Sequence, residues 1–169
     1  MKAGDRKTIF FSVGLSLLLS VALCSLFLPL LSVMTPAGET ISFYGWNILA
    51  GGPIVAELPS GVYSFSFRVN IYLLVATQAY LLSVISCFLG RQSIFNRAFS
   101  LVTALGAAVL VGLNPLVIPQ FSSLPANSVS FAYGSYLSIG FAGVAILGEL
   151  VLLVFLLIGK NARKKNAEK

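Results

Sequence analysis

The sequence predicts an all-α transmembrane protein: a four-helix bundle with a small extracytoplasmic β-structured cap from its first and third loops. Two observations support this fold class. Charged residues make up 9% and hydrophobic residues 57% of the 169 residues, which leaves too little polar surface to cover a soluble core. The apolar residues also gather into four blocks, each about as long as the roughly 20 residues that a helix needs to span hydrocarbon.

The predicted spans run over residues 9–34, 70–89, 98–118 and 136–158, within a single domain that covers residues 1–169. Because hydrocarbon cannot hydrate a peptide group, and because the blocks lack the alternation of barrel strands, each block is expected to be a helix. The basic residues ahead of the first block also resemble the start of a secretory signal. The block is far longer than a signal core, so we interpret it as a membrane anchor.

Basic residues determine the expected orientation. Of the eleven lysines and arginines, ten lie at the two termini or in the loop from Gly90 to Arg97, and only Arg68 lies elsewhere. Lysine and arginine near span ends resist translocation, so both termini and this loop are predicted to be cytoplasmic. The sequence has no Asn-x-Ser/Thr glycosylation site, which is compatible with a bacterial plasma membrane. Topology and attraction to anionic headgroups account for the net charge of +6, with the C-terminal tail as a candidate lipid contact and no need for a nucleic-acid partner.

The two predicted external loops, residues 35–69 and 119–135, contain three short strand patterns. Aromatic and β-branched residues favour strands over Thr40–Tyr44, Val62–Phe67 and Ser128–Tyr133. Glycine and proline predict turns at residues 45, 51–53 and 59–61. The loops are therefore expected to form the β-structured cap.

Two segments of the external loops are similar to each other. Ile41–Gly45 and Val129–Gly134 each carry Ser-Phe, an aromatic residue and glycine before a returning helix, and each follows a proline near the outer end of an outgoing span, Pro29 or Pro115. One interpretation is a duplicated hairpin, a parallel repeat of the kind found in some transporters. The alternative is that proline and aromatic residues favour outer membrane interfaces in any case.

The pattern also resembles known layouts. The proline near the end of the first span, the segment Ser42–Trp46 and the Tyr133–Tyr136 opening of the last span are similar to small four-span bacterial membrane proteins without an assigned activity. The arrangement is similar in layout to claudin-type proteins, whose large first external loop forms a small sheet on a four-helix bundle. The claudin signature itself is absent, because neither a second tryptophan in a Gly-Leu-Trp setting nor an external cysteine pair follows Trp46. The resemblance therefore implies a layout and no activity.

Glu149 is the first candidate for an intramembrane polar site. It lies near the middle of the fourth predicted span, and no predicted span contains a basic residue that could pair with it. An ionised carboxylate at that depth costs about 2.5–3.5 kcal/mol, so a neutral, inward-facing carboxyl is expected. Counting from the span ends places Ser20, Gln78 and Tyr80 at a similar depth. The cluster is interpreted either as interhelical hydrogen bonding or as a proton or cation site.

Small residues recur at helical spacing in the spans and predict faces where helices contact one another or a partner chain. These residues are Ser12, Ser16 and Ser20 in the first span, Ala104, Ala108 and Gly112 in the third, and Gly140 and Gly148 in the fourth. In the first external loop, Phe43, Tyr44 and Trp46 form an aromatic group. This group is expected to pack under the loop or to lie at the headgroup level, and the alternative is a docking surface.

The chain offers little for catalysis. It has no histidine, its two cysteines, Cys24 and Cys87, lie at different depths of separate spans, and no phosphate-binding or nucleophile motif is present. We therefore expect no enzyme activity, no metal and no cofactor. The favoured function is a non-catalytic accessory or interaction component of a membrane complex, with a protein partner or further copies of the chain. The alternative is a small proton- or cation-coupled transporter or channel that uses Glu149.

Overall fold

The computed structural model describes residues 3–89, 93–124 and 128–167, and side chains are described within residues 8–160 of these ranges. The described helices are α1 (Ala3–Ser25), α2 (Gly45–Ala50), α3 (Ile71–Leu89), α4 (Ile94–Gly112), α5 (Asn114–Val117) and α6 (Tyr133–Ala167). Four of them, α1, α3, α4 and α6, are long and apolar enough to cross a membrane. The prediction of four helices that are long and apolar enough to span a membrane is therefore confirmed.

The four long helices lie side by side in the ring order α1, α3, α4, α6, because α1 and α4 each contact both α3 and α6. Alanine supplies the contact positions of several helices: Ala76 in α3 and Ala142 and Ala145 in α6 are fully buried. Small side chains permit close approach of helix backbones, which is the main source of packing energy when the surroundings are as apolar as the helices. Leu15 and Leu19 of α1 are buried in the same hydrophobic core.

The strands are β1 (Pro29–Met34), β2 (Thr40–Tyr44), β3 (Gly52–Leu58), β4 (Gly61–Phe67) and β5 (Val129–Phe131). They form one antiparallel sheet in the order β2-β1-β5 and a two-stranded antiparallel sheet of β3 and β4. The three predicted strand segments coincide with β2, β4 and β5. The strand β3 was not predicted, because its Gly-Gly-Pro start has the composition of a turn. We call the end of the helices that carries these strands the sheet end, and the opposite end the terminal end.

The first predicted span is wrong over its last third. The helix α1 ends at Ser25, and Pro29–Met34, predicted as part of the span, forms the central strand β1. The apolar signal of this segment comes from burial in protein: Leu30 and Leu31 are fully buried between the two neighbouring strands and the helices. A short apolar run has the same sequence pattern whether it forms a buried strand or a segment of helix. Pro29 disfavours a helix at this point because proline lacks an amide hydrogen.

The two similar loop segments pair with the same residues of β1. On one edge, Ser42 of β2 lies opposite Ser32, and on the other edge Ser130 of β5 lies opposite the same Ser32. Each neighbouring phenylalanine lies opposite Leu31. The outgoing arms differ, because Pro29 starts a strand whereas Pro115 lies in the short helix α5. The likeness is thus seen in the returning arms only, and a duplication stays an interpretation.

The last two spans differ from their predicted bounds. The third helix begins four residues earlier than predicted, at Ile94, and ends at Gly112, after which α5 and a 3-10 turn at residues 118–120 change the chain direction. Pro115 and Pro119 lie in these two short elements, where the missing amide hydrogen is tolerated in a first turn. The fourth helix continues to Ala167, so the basic segment after Lys160 extends it as helix.

Two glycines bring elements close to the junction of α1 and β1. Gly45 starts α2 and Gly134 lies in the first turn of α6. A Cβ atom on Gly45 would overlap the carbonyl oxygen of Leu26, and one on Gly134 would lie 2.6 Å from the carbonyl oxygen of Pro29. The glycine of each Ser-Phe segment therefore allows the following helix to pack directly on backbone, which links the sheet to the long helices.

Candidate functional site

A buried ion pair joins α4 and α6. Nη1 of Arg97 lies 2.9 Å from both Oε1 and Oε2 of Glu149, and both side chains are fully buried. The pair neutralises two charges whose separate burial would be very costly. Arg97 and Glu149 are the only oppositely charged side chains found as a salt bridge within the described residues.

All four long helices contribute to the surroundings of this pair. From α1, the hydroxyl of Ser12 accepts a hydrogen bond from Nη2 of Arg97, and its carbonyl oxygen lies 3.4 Å from Sγ of Cys87 in α3. Ser100 of α4 donates to Oε1 of Glu149 at 3.4 Å. Its hydroxyl lies 3.0 Å from that of Ser83 in α3. We call these six residues, Ser12, Ser83, Cys87, Arg97, Ser100 and Glu149, the polar cluster.

The polar cluster lies towards the terminal end. Arg97 is three residues from the start of α4, and the rise of 1.5 Å per residue places it about 5 Å inside that helix end and about 22 Å from the other. Cys87 is two residues from the end of α3. Glu149 was predicted near the middle of its span. It contacts Arg97 and Ser100 near the start of α4, and α6 continues about 27 Å beyond it.

The expectation that Glu149 lacks a basic partner is wrong. From the sequence alone, Arg97 is assigned to a cytoplasmic loop. An arginine at the edge of an apolar block gives the same composition whether it lies in a loop or in the first turn of a helix. Another signal was present in the sequence. The hydroxyl of Ser93 accepts a hydrogen bond from the Asn96 amide and caps α4. A helix that starts there carries Arg97, Ser100, Ala104, Ala107 and Val111 on one face, and all five are buried.

The other residues proposed for the polar site lie elsewhere. Ser20 is half-buried and donates to the carbonyl oxygen of Ser16 at 2.8 Å. Gln78 is exposed on the outer surface of α3. Tyr80 is buried, but its hydroxyl accepts a hydrogen bond from Ser138 at 3.4 Å. The structure thus brings none of the three into hydrogen-bond contact with Glu149 among the bonds of the described part of the chain.

The residues predicted for helix contacts divide into two groups. Ala104 is fully buried, and a Cβ atom on Gly148 would overlap the end of the Leu15 side chain. Gly140, in contrast, is exposed, and nothing lies within 4 Å of its Cβ position. Ala108 and Gly112 are half-buried. In the first helix, Ser12 belongs to the polar cluster, and Ser16 and Ser20 lie along the side that faces α3.

The aromatic group of the first loop is divided in the same way. Phe43 is 1% exposed and makes edge contacts with Phe65 and Phe67, at centroid distances of 5.3 and 5.0 Å. Tyr44 and Trp46 are 46% and 56% exposed. The buried ring therefore anchors the segment, while its two neighbours remain on the surface as the docking candidates.

A second polar contact lies at the sheet end. Nδ2 of Asn70 donates to Oδ1 of Asn114 at 2.9 Å, and both residues are fully buried. Oδ1 of Asn70 accepts from the amides of Tyr72 and Leu73. Asn70 thus caps the start of α3 and joins it to the segment that follows α4.

We expect Asn70→Ala to destabilise the protein by about 1–3 kcal/mol, since it removes the cap of α3 and leaves the buried Oδ1 of Asn114 without its donor. The measurement is thermal unfolding of the purified chain in mild detergent. Gln78→Leu, which changes an exposed amide of the same helix, serves as the control and should leave the midpoint unchanged or raise it. Equal effects of the two substitutions would contradict the assignment of Asn70 as a buried cap.

The sequence matches no protein-family model and no curated protein. Among the described residues, no three or more His, Cys, Asp or Glu side chains come together as a metal site. The polar cluster can hold the four long helices in one register. Its guanidinium, its carboxylate and the hydroxyls of its three serines are joined by hydrogen bonds.

Proposed function

We propose that this protein is a non-catalytic component of a membrane complex that acts through contacts with a partner protein or with copies of itself. The observation that carries the proposal is the ion pair of Arg97 and Glu149. Glu149, the acid that lies within an apolar block, is paired with Arg97 of a neighbouring helix. All four long helices contribute residues to the cluster around this pair. Such a cluster supports a rigid scaffold whose outer surfaces are free for binding.

We place this protein in a bacterial plasma membrane, with the terminal end in the cytoplasm and the strands outside. The distribution of lysine and arginine supports this orientation, because nearly all of them belong to segments of the terminal end. The exposed rings of Trp46, Tyr133 and Tyr136 at the sheet end, with exposed fractions of 56%, 55% and 64%, suit the headgroup level of the outer leaflet. In this orientation the layout is claudin-like, with five strands from two external loops above four helices.

Tyr44 and Trp46 are the proposed contact residues. Their backbone is held on two sides, because β2 pairs with β1 and Gly45 donates to the carbonyl oxygen of Leu28 at 3.1 Å. Exposed aromatic side chains on a rigid segment bind with little loss of conformational entropy, and tyrosine and tryptophan are enriched at interaction hot spots.

A photo-crosslinking amino acid at position 46 of the full chain, activated in intact membranes, tests the proposal. We expect a discrete crosslinked band of one size, either a dimer of the chain or a complex with one partner. The same amino acid at Val55, a residue 60% exposed on β3, is the matched control and should give no such band. A chain that remains monomeric in mild detergent and gives no position-specific band at residue 46 would refute the proposal.

Transport by Glu149 is the competing function and makes the opposite prediction. Purified protein in liposomes should give no proton or cation flux above empty liposomes if the ion pair is structural. A flux that Glu149→Gln abolishes, in protein that still elutes as folded, would support the transporter instead.

A further inference from the structure

We propose that the groove between α1 and α3 binds one acyl chain of an anionic glycerophospholipid, with the lipid phosphate at the terminal end near Arg6. The groove has a volume of about 420 Å3 and is lined by α1 between Val13 and Ser20 and by α3 between Val84 and Leu89. That volume lies within the range of small-molecule sites, roughly 300–1,000 Å3.

The walls of the groove suit hydrocarbon. Its two hydroxyls are already bonded within the protein: Ser16 donates to the carbonyl oxygen of Val84 at 3.1 Å, and Ser20 donates to that of Ser16 at 2.8 Å. The remaining lining side chains are aliphatic or aromatic. An occupant therefore needs no hydrogen-bonding group inside the groove.

The groove is open at the surface of α1 and α3. Leu17, Phe88 and Leu89 on its rim are 62%, 45% and 73% exposed. Both walls belong to helices that are apolar and long enough to span a membrane, so the groove faces the lipid phase. A transmembrane helix, which is about 10–12 Å across with its side chains, does not fit inside a groove of about 420 Å3. A flexible acyl chain fits such a space.

The position of basic residues indicates the headgroup. Arg6 precedes Val13 by seven residues, so the helical period places the two positions on the same face of α1. The rise of the helix places Arg6 about 10 Å from Val13 towards the terminal end. Lys7 follows it directly. Basic residues near the end of a transmembrane helix attract anionic headgroups, which distinguishes this lipid class from neutral lipids.

Native mass spectrometry of the full chain in mild detergent tests the site, with phosphatidylglycerol and phosphatidylcholine of identical acyl chains as probes. We expect one phosphatidylglycerol molecule to bind more tightly than phosphatidylcholine. Leu17→Trp should fill the groove and weaken phosphatidylglycerol binding at least tenfold. Leu147→Trp, at a residue 65% exposed on α6, is the control and should bind as the original chain does.

Charge is tested separately. Arg6→Gln should weaken phosphatidylglycerol binding about fivefold and leave phosphatidylcholine binding unchanged, whereas Lys160→Gln on α6 should change neither. Equal binding of the two lipids by the original chain, or unchanged binding by Leu17→Trp, would overturn the proposal. So would a dimer that Leu17→Trp dissociates without altering bound lipid, because the groove would then be an interface between copies. None of these outcomes depends on the partner proposed at Trp46.

Discussion

Replacing either member of the buried ion pair should destabilise the protein by about 3–5 kcal/mol, because the remaining charge stays buried without its partner. The two replacements should differ. In Arg97→Leu the remaining Glu149 can take up a proton and become neutral, whereas in Glu149→Leu the remaining guanidinium cannot lose its charge. We therefore expect Glu149→Leu to be the more damaging substitution, measured as the free energy of unfolding in detergent or lipid nanodiscs.

The double variant separates a charge effect from a packing effect. Arg97→Leu combined with Glu149→Leu removes both charges together and replaces them with apolar side chains, a change that is often neutral or stabilising in buried pairs. It should restore most of the stability that either single variant loses. Additive losses in this double-mutant cycle would contradict the pairing. Glu57→Leu, at an exposed acid of β3, is the control for loss of a carboxylate and should change little.

Gly45→Ala should be the most disruptive single addition of a methyl group. Its Cβ would overlap the carbonyl oxygen of Leu26 and lie 2.7 Å from Cδ1 of Leu30, so backbone of the α1–β1 junction must shift. Insertion of a methyl group into a packed site costs about 1–3 kcal/mol, and a backbone obstacle places this substitution at or above the upper end. The midpoint of thermal unfolding should fall accordingly.

Two other glycines provide graded controls for this prediction. Gly148→Ala meets only the end of the flexible Leu15 side chain, so it should cost less than Gly45→Ala. Gly140→Ala meets nothing within 4 Å and lies in the helix α6, where alanine is the better helix former, so stability should be unchanged or slightly raised. The order Gly45, Gly148, Gly140 is the result expected. Equal effects at all three positions would show that the close approach at Gly45 does not exist.

Residues whose signal is local were well predicted. The strand Thr40–Tyr44 has the predicted bounds, because alternating burial of Ile41 and Phe43 in a segment of strand formers is visible in five residues. Segments that lie between a long helix and the sheet were not well predicted. Pro29–Met34 is as apolar as the helix before it, and only its position between β2 and β5 makes it a strand.

The candidate site was half predicted. Glu149 was identified because an acid within an apolar block is rare, but its partner Arg97 was lost among the basic residues that mark the cytoplasmic side. Composition cannot separate an arginine that faces water from one that lies a single turn inside a helix. The gap of 52 positions between the two residues closes only when α4 and α6 pack together.

The sequence by itself determined the four apolar helices and three of the five strands, β2, β4 and β5, because the cost of an unhydrated peptide group and the periodicity of side chains act along the chain. It also identified Glu149 as a polar-site candidate and Phe43, Tyr44 and Trp46 as an aromatic group, of which the structure exposes Tyr44 and Trp46. Only the tertiary structure decided that Glu149 pairs with Arg97, that Gly45 packs on backbone and that α1 and α3 leave a groove. These contacts join residues distant in sequence, so they depend on how helices and strands pack against one another and not on what any one segment prefers.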